Sequence, residues 1–337
     1  MDDHKLEKFT TFELALYEDF ENSYDKWRKD MASTYKNASD IAMLKTMNDE
    51  LSPFAAELVQ YFINRKIQSC WLLLQSGFDL IKTRNVSSSQ VAMYPIIRAV
   101  VEQLAKINWI FGDTLSVKND GGIAKFSASG VRSPGAIKGI FERTAKLELC
   151  EILFGYKEEE LFIDNEAGKK LNRTLIEVQL ENVIKEISEH NSWFDIDSHS
   201  TSYIDMYEYA KSRQVFGFKI PNRSTLVADF VSRYFSMSNI QAEEKKLYAL
   251  ASFFSHSPDY AIMNILRPTV AEGHPTFGPE LTPEILDLLI MAQTFLVNIV
   301  CWKYLVFGFD DDYFAKEVVR LNRFRNEFLD AFEIITD

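Results

Sequence analysis

Arg98 and Glu102 are the first candidates for chemistry, because they are charged residues in the otherwise nearly apolar stretch Met93–Leu104. Residues four apart lie on one face of a helix, so the guanidinium and the carboxylate can touch. An ion pair removed from water costs several kcal/mol per charge unless geometry and further hydrogen bonds compensate, so stability alone rarely places one in a core. Two interpretations stay open. The pair clamps a neighbouring helix or faces solvent, or it forms the floor of a pocket.

A second polar stripe is predicted at Tyr248, Ser252 and His256, which follow one another at intervals of four. This spacing places two hydroxyl groups and an imidazole on one helix face. Histidine titrates near neutral pH, and a neighbouring carboxylate such as Glu102 or Asp259 can set its tautomer, which is how a general base is prepared. A structural histidine, or a favourable charge at a helix C-terminus, would satisfy the same pattern.

The sequence lacks the strong catalytic motifs. It contains no Walker loop, no GxGxxG, HExxH or GxSxG, and no Glu-x-x-His of the diiron type. These absences argue against nucleotide-dependent enzymes, zinc proteases, hydrolases of the usual fold and ferritin-like oxidases. The Arg-x6-His spacing from Arg267 to His274, of the kind seen in helical ribonucleases, runs through Pro268 and Gly273, which would break the helix that such a site uses. The sequence therefore predicts no cofactor and no metal site.

The charge of the chain limits its partners. The formal net charge is -12, and a surface of that sign repels phosphate backbones, so bulk electrostatic binding of DNA is disfavoured. RNA binding would require a local basic pocket. A protein partner or a homo-oligomer is the expected association.

Cysteine usage and hydropathy indicate a cytoplasmic protein that does not span a membrane. The three cysteines, Cys70, Cys150 and Cys301, have no CxxC spacing, which fits a reducing compartment. The N-terminus lacks the basic and apolar regions of a secretory signal. The most apolar stretch, Leu288–Trp302, is shorter than the roughly 20 residues of a spanning helix, so we expect a buried core helix.

Helical periodicity dominates the chain and predicts an all-α fold, an irregular bundle of roughly nine or ten helices. Glycine and proline are scarce, at 13 and 9 residues, and no Asn-Gly or Asp-Gly turn lies between alternating apolar runs. The predicted helices are Thr11–Tyr35, Pro53–Lys82 after the cap Ser52, Val91–Phe111, Gly135–Phe154, Asn172–His190, Tyr203–Ser212, Thr225–Tyr234, Ala242–His256, Pro283–Phe307 and Tyr313–Ile335.

Three segments interrupt this pattern. Ser87–Ser89 is expected to break the chain between two helices. Residues 113–134 form a long polar stretch, which we interpret as a lid or a disordered loop, and Leu266–Pro279 is an irregular connection. We expect one helical domain over 1–337, with residues 1–50 as an appended N-terminal helix and 51–337 as the core.

The two polar segments also carry a family resemblance. The Arg-x3-Glu helix, followed much later by Tyr-x3-Ser-x3-His, resembles a family of bacterial all-helical proteins known as a domain of unknown function. The resemblance covers about Leu51–Ile110 and Leu247–Leu266. It implies that Arg98, Glu102, Ser252 and His256 form a shared polar set between two core helices. It implies no reaction; by analogy, such families are linked to phage conflict or toxins.

Two functional hypotheses follow. The first is a helical interaction or regulatory protein of a bacterial cell, acting in phage defence or stress response, whose polar residues fix helix register. The second is a metal-independent ribonuclease-like or other small-pocket enzyme. In it His256 is the acid or base, Arg98 clamps an anion and Glu102 orients one of them. Ser252 and Tyr248 are further catalytic candidates. The second requires these side chains to converge within hydrogen-bonding distance.

Overall fold

The computed structural model describes the chain over a defined set of ranges. They are residues 3–34, 53–82, 86–112, 116–120, 123–127, 134–160, 165–169, 178, 214–215, 218–238, 268–271, 274–277, 283–309 and 312–332.

The described residues form an all-α architecture, as predicted. Its seven long helices are α1 Asp3–Thr34, α2 Pro53–Lys82, α3 Val86–Phe111, α4 Pro134–Glu160, α5 Arg223–Ser238, α6 Pro283–Phe307 and α7 Tyr313–Phe332. With a short turn at 166–169 they make eight helical segments in the described part, not the nine or ten expected for the whole chain. Of the predicted helices, those at 172–190, 203–212 and 242–256 lie outside the described residues, apart from Val178.

Helix bounds follow the predicted pattern closely where the caps are strong. Helices α2 and α6 begin and end at the predicted residues, both starting at a proline, whose missing N–H is not needed in a first turn. Helix α3 begins at Val86, so the expected break at Ser87–Ser89 is wrong. These serines lie in its first turn, where the backbone amides have no partner within the helix and serine is well tolerated.

Helix α6 is the centre of the core. It packs against α1, α2, α3 and α7, and all its residues from Leu289 to Tyr304 are buried. Its span Ile285–Phe307 is long and apolar enough, with a mean hydropathy of 1.9, to cross a membrane by length and composition, yet 89% of that window is buried inside the protein. This burial agrees with the predicted core helix.

Helix α1 joins the same core through aromatic contacts. The Phe20 ring lies 5.3 Å from that of Trp71 and 5.0 Å from that of Phe78, both on α2. The Phe12 ring meets Phe328 of α7 edge to face at 5.2 Å. Such pairs bury large apolar areas and add about 0.5–1.5 kcal/mol each beyond area burial. Aromatic rings therefore attach α1 to both α2 and α7.

Three short antiparallel hairpins correct the loop predictions. β1 Ser116–Asp120 pairs with β2 Ile123–Ser127, β3 Gln214–Val215 with β4 Phe218–Lys219, and β5 Pro268–Ala271 with β6 His274–Phe277. The first lies within the segment interpreted as a polar lid or disordered loop, and the third within the irregular connection 266–279. Each is an isolated two-stranded pair, so the fold class remains all-α.

The turn chemistry explains the first hairpin. Asp120 pairs with Ile123, which leaves Gly121 and Gly122 as the two connecting residues. Glycine at these positions permits the positive φ angles that two-residue hairpin turns require. The hairpin corrects the prediction of a loop over 113–134, and the polar composition of its strands explains why no strand was predicted there.

Candidate functional site

Arg98 and Glu102 form the predicted ion pair on α3. The Arg98 Nε donates to Glu102 Oε1 at 2.8 Å, and the two side chains are 16% and 14% exposed. The pair is therefore partly buried, which makes its contacts with neighbouring helices decisive for its role.

Arg223, the first residue of α5, brings a second guanidinium to the same carboxylate. Its Nη1 lies 3.8 Å from Glu102 Oε2, too far for a hydrogen bond but within ion-pair range. Asn222 caps the helix, since its side-chain oxygen accepts the backbone N–H of Thr225 at 2.8 Å. This cap places Arg223 next to α3, so both oxygens of Glu102 face a guanidinium group.

The second polar stripe lies outside the described residues. Tyr248, Ser252 and His256 belong to it, so the predicted convergence of His256 with Arg98 and Glu102 stays a prediction.

Two arginines cap the C-terminal end of α3. Arg143 of α4 donates from Nε to the Ile110 carbonyl at 2.8 Å, and Arg233 of α5 donates from Nη1 to the Gly112 carbonyl at 2.5 Å. Cations are favourable at a helix C-terminus, where the last carbonyls have no partner within the helix. Gly112 has a φ of 56°, the left-handed conformation that ends many helices.

Two glycines make room for Arg143. A Cβ at Gly112 would lie 2.7 Å from the Arg143 Nη2, and one at Gly139 would lie 3.1 Å from its Nη1. The guanidinium therefore rests directly against the backbone at both positions, and larger residues would displace it.

A cleft of about 560 Å³ opens beside these arginines. Helices α3, α4 and α5 line it, through Asn108, Trp109, Gly112, Arg143, Leu226, Asp229, Ser232 and Arg233. Asn108 is only 3% exposed, and its Oδ1 has no hydrogen-bond partner among the described residues. This cleft could not be predicted from the sequence, because it is assembled by contacts between distant parts of the chain.

A five-residue ion network joins α2, α3 and α4. Arg65 Nη2 lies 2.5 Å from Glu148 Oε2, Lys106 Nζ donates to Glu151 Oε1 at 2.8 Å, and Lys66 also pairs with Glu151. Burial raises the pKa of Glu148, although Arg65 opposes it. Burial would also raise the pKa of Glu151, but Lys106 and Lys66 outweigh it and hold that pKa below its ordinary value.

A lysine is buried between α1, α2 and α6. Lys303 is 1% exposed, and its Nζ donates to Asn64 Oδ1 at 2.6 Å and lies 3.0 Å from Met31 Sδ. Burial lowers its pKa to about 7, and the nearby charge of Asp30 opposes that shift. Tyr304, the next residue after Lys303, donates from its hydroxyl to Asp30 Oδ2 at 2.6 Å.

The described part of the chain contains no cluster of metal ligands and no activated thiol. No group of three or more histidine, cysteine, aspartate or glutamate residues there could hold a metal ion. Cys70, Cys150 and Cys301 are buried and none of them is in a disulfide, and burial raises the pKa of Cys301 to about 11. A thiol with a raised pKa is a weak nucleophile at neutral pH.

Comparison with known proteins finds no relative: no protein-family model, no curated protein and no solved structure matches the chain.

Proposed function

We propose that this chain is a helical interaction or regulatory protein in which the Arg98–Glu102 pair clamps α5 onto α3. The observation that carries the proposal is the position of Glu102, whose two oxygens face Arg98 of its own helix and Arg223 of α5. A carboxylate that is only 14% exposed and lies between guanidinium groups from two helices favours one arrangement of those helices, although Arg223 is itself 66% exposed. The role of Glu102 is then structural, and no reaction is required of it.

Other partly buried charges in the described residues are used in the same way. Arg325 of α7 binds Asp287 of α6 through two hydrogen bonds, of 2.6 and 2.9 Å. Arg65 of α2 binds Glu148 of α4. Pairs that join two helices set their register, and this is the use of buried ion pairs that the interaction hypothesis expects.

The proposed setting is the cytoplasm of a bacterial cell, with a role in phage defence or stress response and with a homo-oligomer or a protein partner. The family resemblance supports this setting by analogy. The net charge of -12 supports a protein rather than a polyanion as partner. Light scattering on the purified chain tests the homo-oligomer: a mass that is a multiple of 38.9 kDa supports it. A mass of 38.9 kDa at every concentration overturns it.

A matched pair of variants tests the clamp. Glu102→Gln removes the charge of the carboxylate that Arg98 and Arg223 face, so we expect a loss of about 1–3 kcal/mol in the free energy of unfolding. Glu327→Gln is the control, because Glu327 is exposed and lies 3.7 Å from the exposed Arg323, where a pair contributes little. The same preparations are incubated with single-stranded RNA. Cleavage by the wild type that Glu102→Gln abolishes without loss of stability contradicts the clamp.

A metal-independent ribonuclease-like enzyme, or another small-pocket enzyme, is the second candidate. The observation that favours it is that, among the described residues, two guanidinium groups face the Glu102 carboxylate. Such cations suit the charge that develops on a phosphodiester during cleavage. Under this hypothesis His256 is the acid or base, and Tyr248 and Ser252 are further catalytic candidates.

Expression in bacteria separates the two candidates. If the wild type inhibits growth and His256→Ala does not, while His4→Ala does, the enzyme is supported. If all three inhibit growth equally, His256 has no catalytic role and the interaction protein is supported.

A further inference from the structure

We propose that the cleft between the C-terminal end of α3 and helices α4 and α5 binds a small phosphate ester that also carries an N–H or O–H donor. Its volume of about 560 Å³ lies within the range of small-molecule sites. The site is separate from the Arg98–Glu102 pair, neither of which lines it, and the proposal does not depend on the proposed function.

Two guanidinium groups in the cleft are already held in place. Arg143 and Arg233 donate to the carbonyls of Ile110 and Gly112, and both line the cleft. A guanidinium carries five N–H donors in a rigid fork that matches the oxygens of a phosphate. Because the backbone contacts fix both side chains in advance, an anion does not have to order them on binding.

Charge favours an anion of low valence. Among the described residues, the lining contains Arg143 and Arg233 and one acidic residue, Asp229, in a chain whose net charge is -12. The acidic surface repels a long polyanion, while a small ester enters a local basic site at little electrostatic cost. A small phosphate ester is therefore favoured over RNA.

The buried amide of Asn108 indicates that the ligand carries a hydrogen-bond donor in addition to its phosphate. Asn108 lines the cleft, and its Oδ1 is almost fully buried and has no partner among the described residues. A buried acceptor without a donor is costly, so such atoms are usually satisfied by something. A hydroxyl or amine of the ligand would satisfy it. Trp109, in the same lining, offers an apolar ring surface next to it.

Capping of the α3 C-terminus explains the two arginines but not the rest of the cleft. The two arginines are what a helix C-terminus favours, and their carbonyl contacts would suffice for that purpose. Capping does not require an open volume beside the arginines, nor does it explain an unpartnered buried amide oxygen on a residue that lines that volume.

Isothermal titration calorimetry on the full chain tests the proposal with four probes. Adenosine 5′-monophosphate and ribose 5-phosphate each carry both a phosphate and a donor, whereas inorganic phosphate and adenosine each lack one half. We expect at least one ester to bind about tenfold more tightly than either partial probe. Tighter binding of adenosine monophosphate than of ribose phosphate would indicate that the adenine ring packs against Trp109.

Four exposed positions provide variants that leave the arginine caps intact. Ser232→Glu adds a carboxylate to the cleft and should weaken ester binding about tenfold, whereas Ser76→Glu, on α2, should not change it. Asp229→Asn removes a carboxylate from the lining and should tighten binding about threefold, whereas Asp79→Asn should not.

Three results would overturn the proposal. They are the absence of binding by both esters at millimolar concentration, ester binding that Ser232→Glu leaves unchanged, and a short single-stranded RNA that binds more tightly than the esters and is weakened by Ser232→Glu. The last result would assign the cleft to RNA.

Discussion

Lys303 and Asn64 form a buried cation–amide pair between α6 and α2, with the Lys303 Nζ 2.6 Å from the Asn64 Oδ1. A lysine inside an apolar core loses its hydration, and a neutral amide returns only part of that free energy. The Phe307 and Phe309 rings lie 6.0 and 5.8 Å from the Nζ and add weak cation–π attraction. The charged form is therefore disfavoured, and this has a consequence for stability.

We expect the stability of the protein to rise with pH above neutrality because of Lys303. Its pKa is about 7 in the folded protein, below the ordinary value of 10.5. Between these two values the unfolded chain binds more protons than the folded one, so raising the pH favours folding. Well below pH 7, Lys303 is protonated in both the folded and the unfolded chain, so it no longer makes the free energy of unfolding depend on pH.

The measurement compares the wild type with Lys303→Met by chemical denaturation at pH 6, 7, 8 and 9. The free energy of unfolding of the wild type minus that of Lys303→Met should increase by up to about 1.4 kcal/mol per pH unit above pH 7. Taking the difference removes the contribution of Lys146, whose pKa burial also lowers, to about 8. Parallel curves for the two proteins across this range would contradict the prediction.

We expect Asn64→Leu to destabilise the protein by about 2–4 kcal/mol, because it leaves the Lys303 ammonium without its oxygen acceptor. In the double variant Lys303→Met with Asn64→Leu, both polar groups are gone and most of that loss should be recovered. A double-mutant cycle built from these unfolding free energies gives the coupling. Additive effects of the two substitutions would show that the pair is not coupled.

Gly112→Ala tests the cap of α3. The residue has a φ of 56°, and an added Cβ would lie 2.7 Å from the Arg143 guanidinium, so we expect a loss of about 1–3 kcal/mol in the free energy of unfolding. Gly135→Ala is the control: it lies in the first turn of α4, and an added Cβ would meet nothing within 4 Å. There alanine should be neutral or stabilise by up to about 1 kcal/mol. Equal effects of both substitutions would contradict the role of Gly112.

The features predicted correctly from the sequence are those that depend on neighbours in the chain. The bounds of α2 and α6 follow from apolar periodicity and an initial proline, and the Arg98–Glu102 contact follows from a spacing of four. The first hairpin was missed although its turn is also local. Its polar strands carry no apolar alternation, which is the signal from which a strand is predicted.

The features that sequence analysis missed depend on contacts between distant residues. Arg233 lies 121 residues from Gly112, whose carbonyl it binds, and Lys303 lies 239 residues from Asn64. Nothing near Arg223 in the sequence indicates that it contacts Glu102. Such contacts are set by how helices pack, and the hydrophobic pattern of one helix does not contain that information.

The Arg325–Asp287 pair between α7 and α6 offers a final test of how specific these ion pairs are. Arg325 donates from Nε and Nη2 to the two oxygens of Asp287, and both side chains are largely buried. Lysine keeps the charge but cannot form the two parallel hydrogen bonds of the guanidinium, so Arg325→Lys should lower the free energy of unfolding by about 1–3 kcal/mol. Arg323→Lys is the matched control, because Arg323 is exposed and only 3.7 Å from the exposed Glu327; its unfolding midpoint should not change. If Arg325→Lys also unfolds at the wild-type midpoint in urea, charge alone holds α7 against α6, and the geometry of the pair is irrelevant to stability.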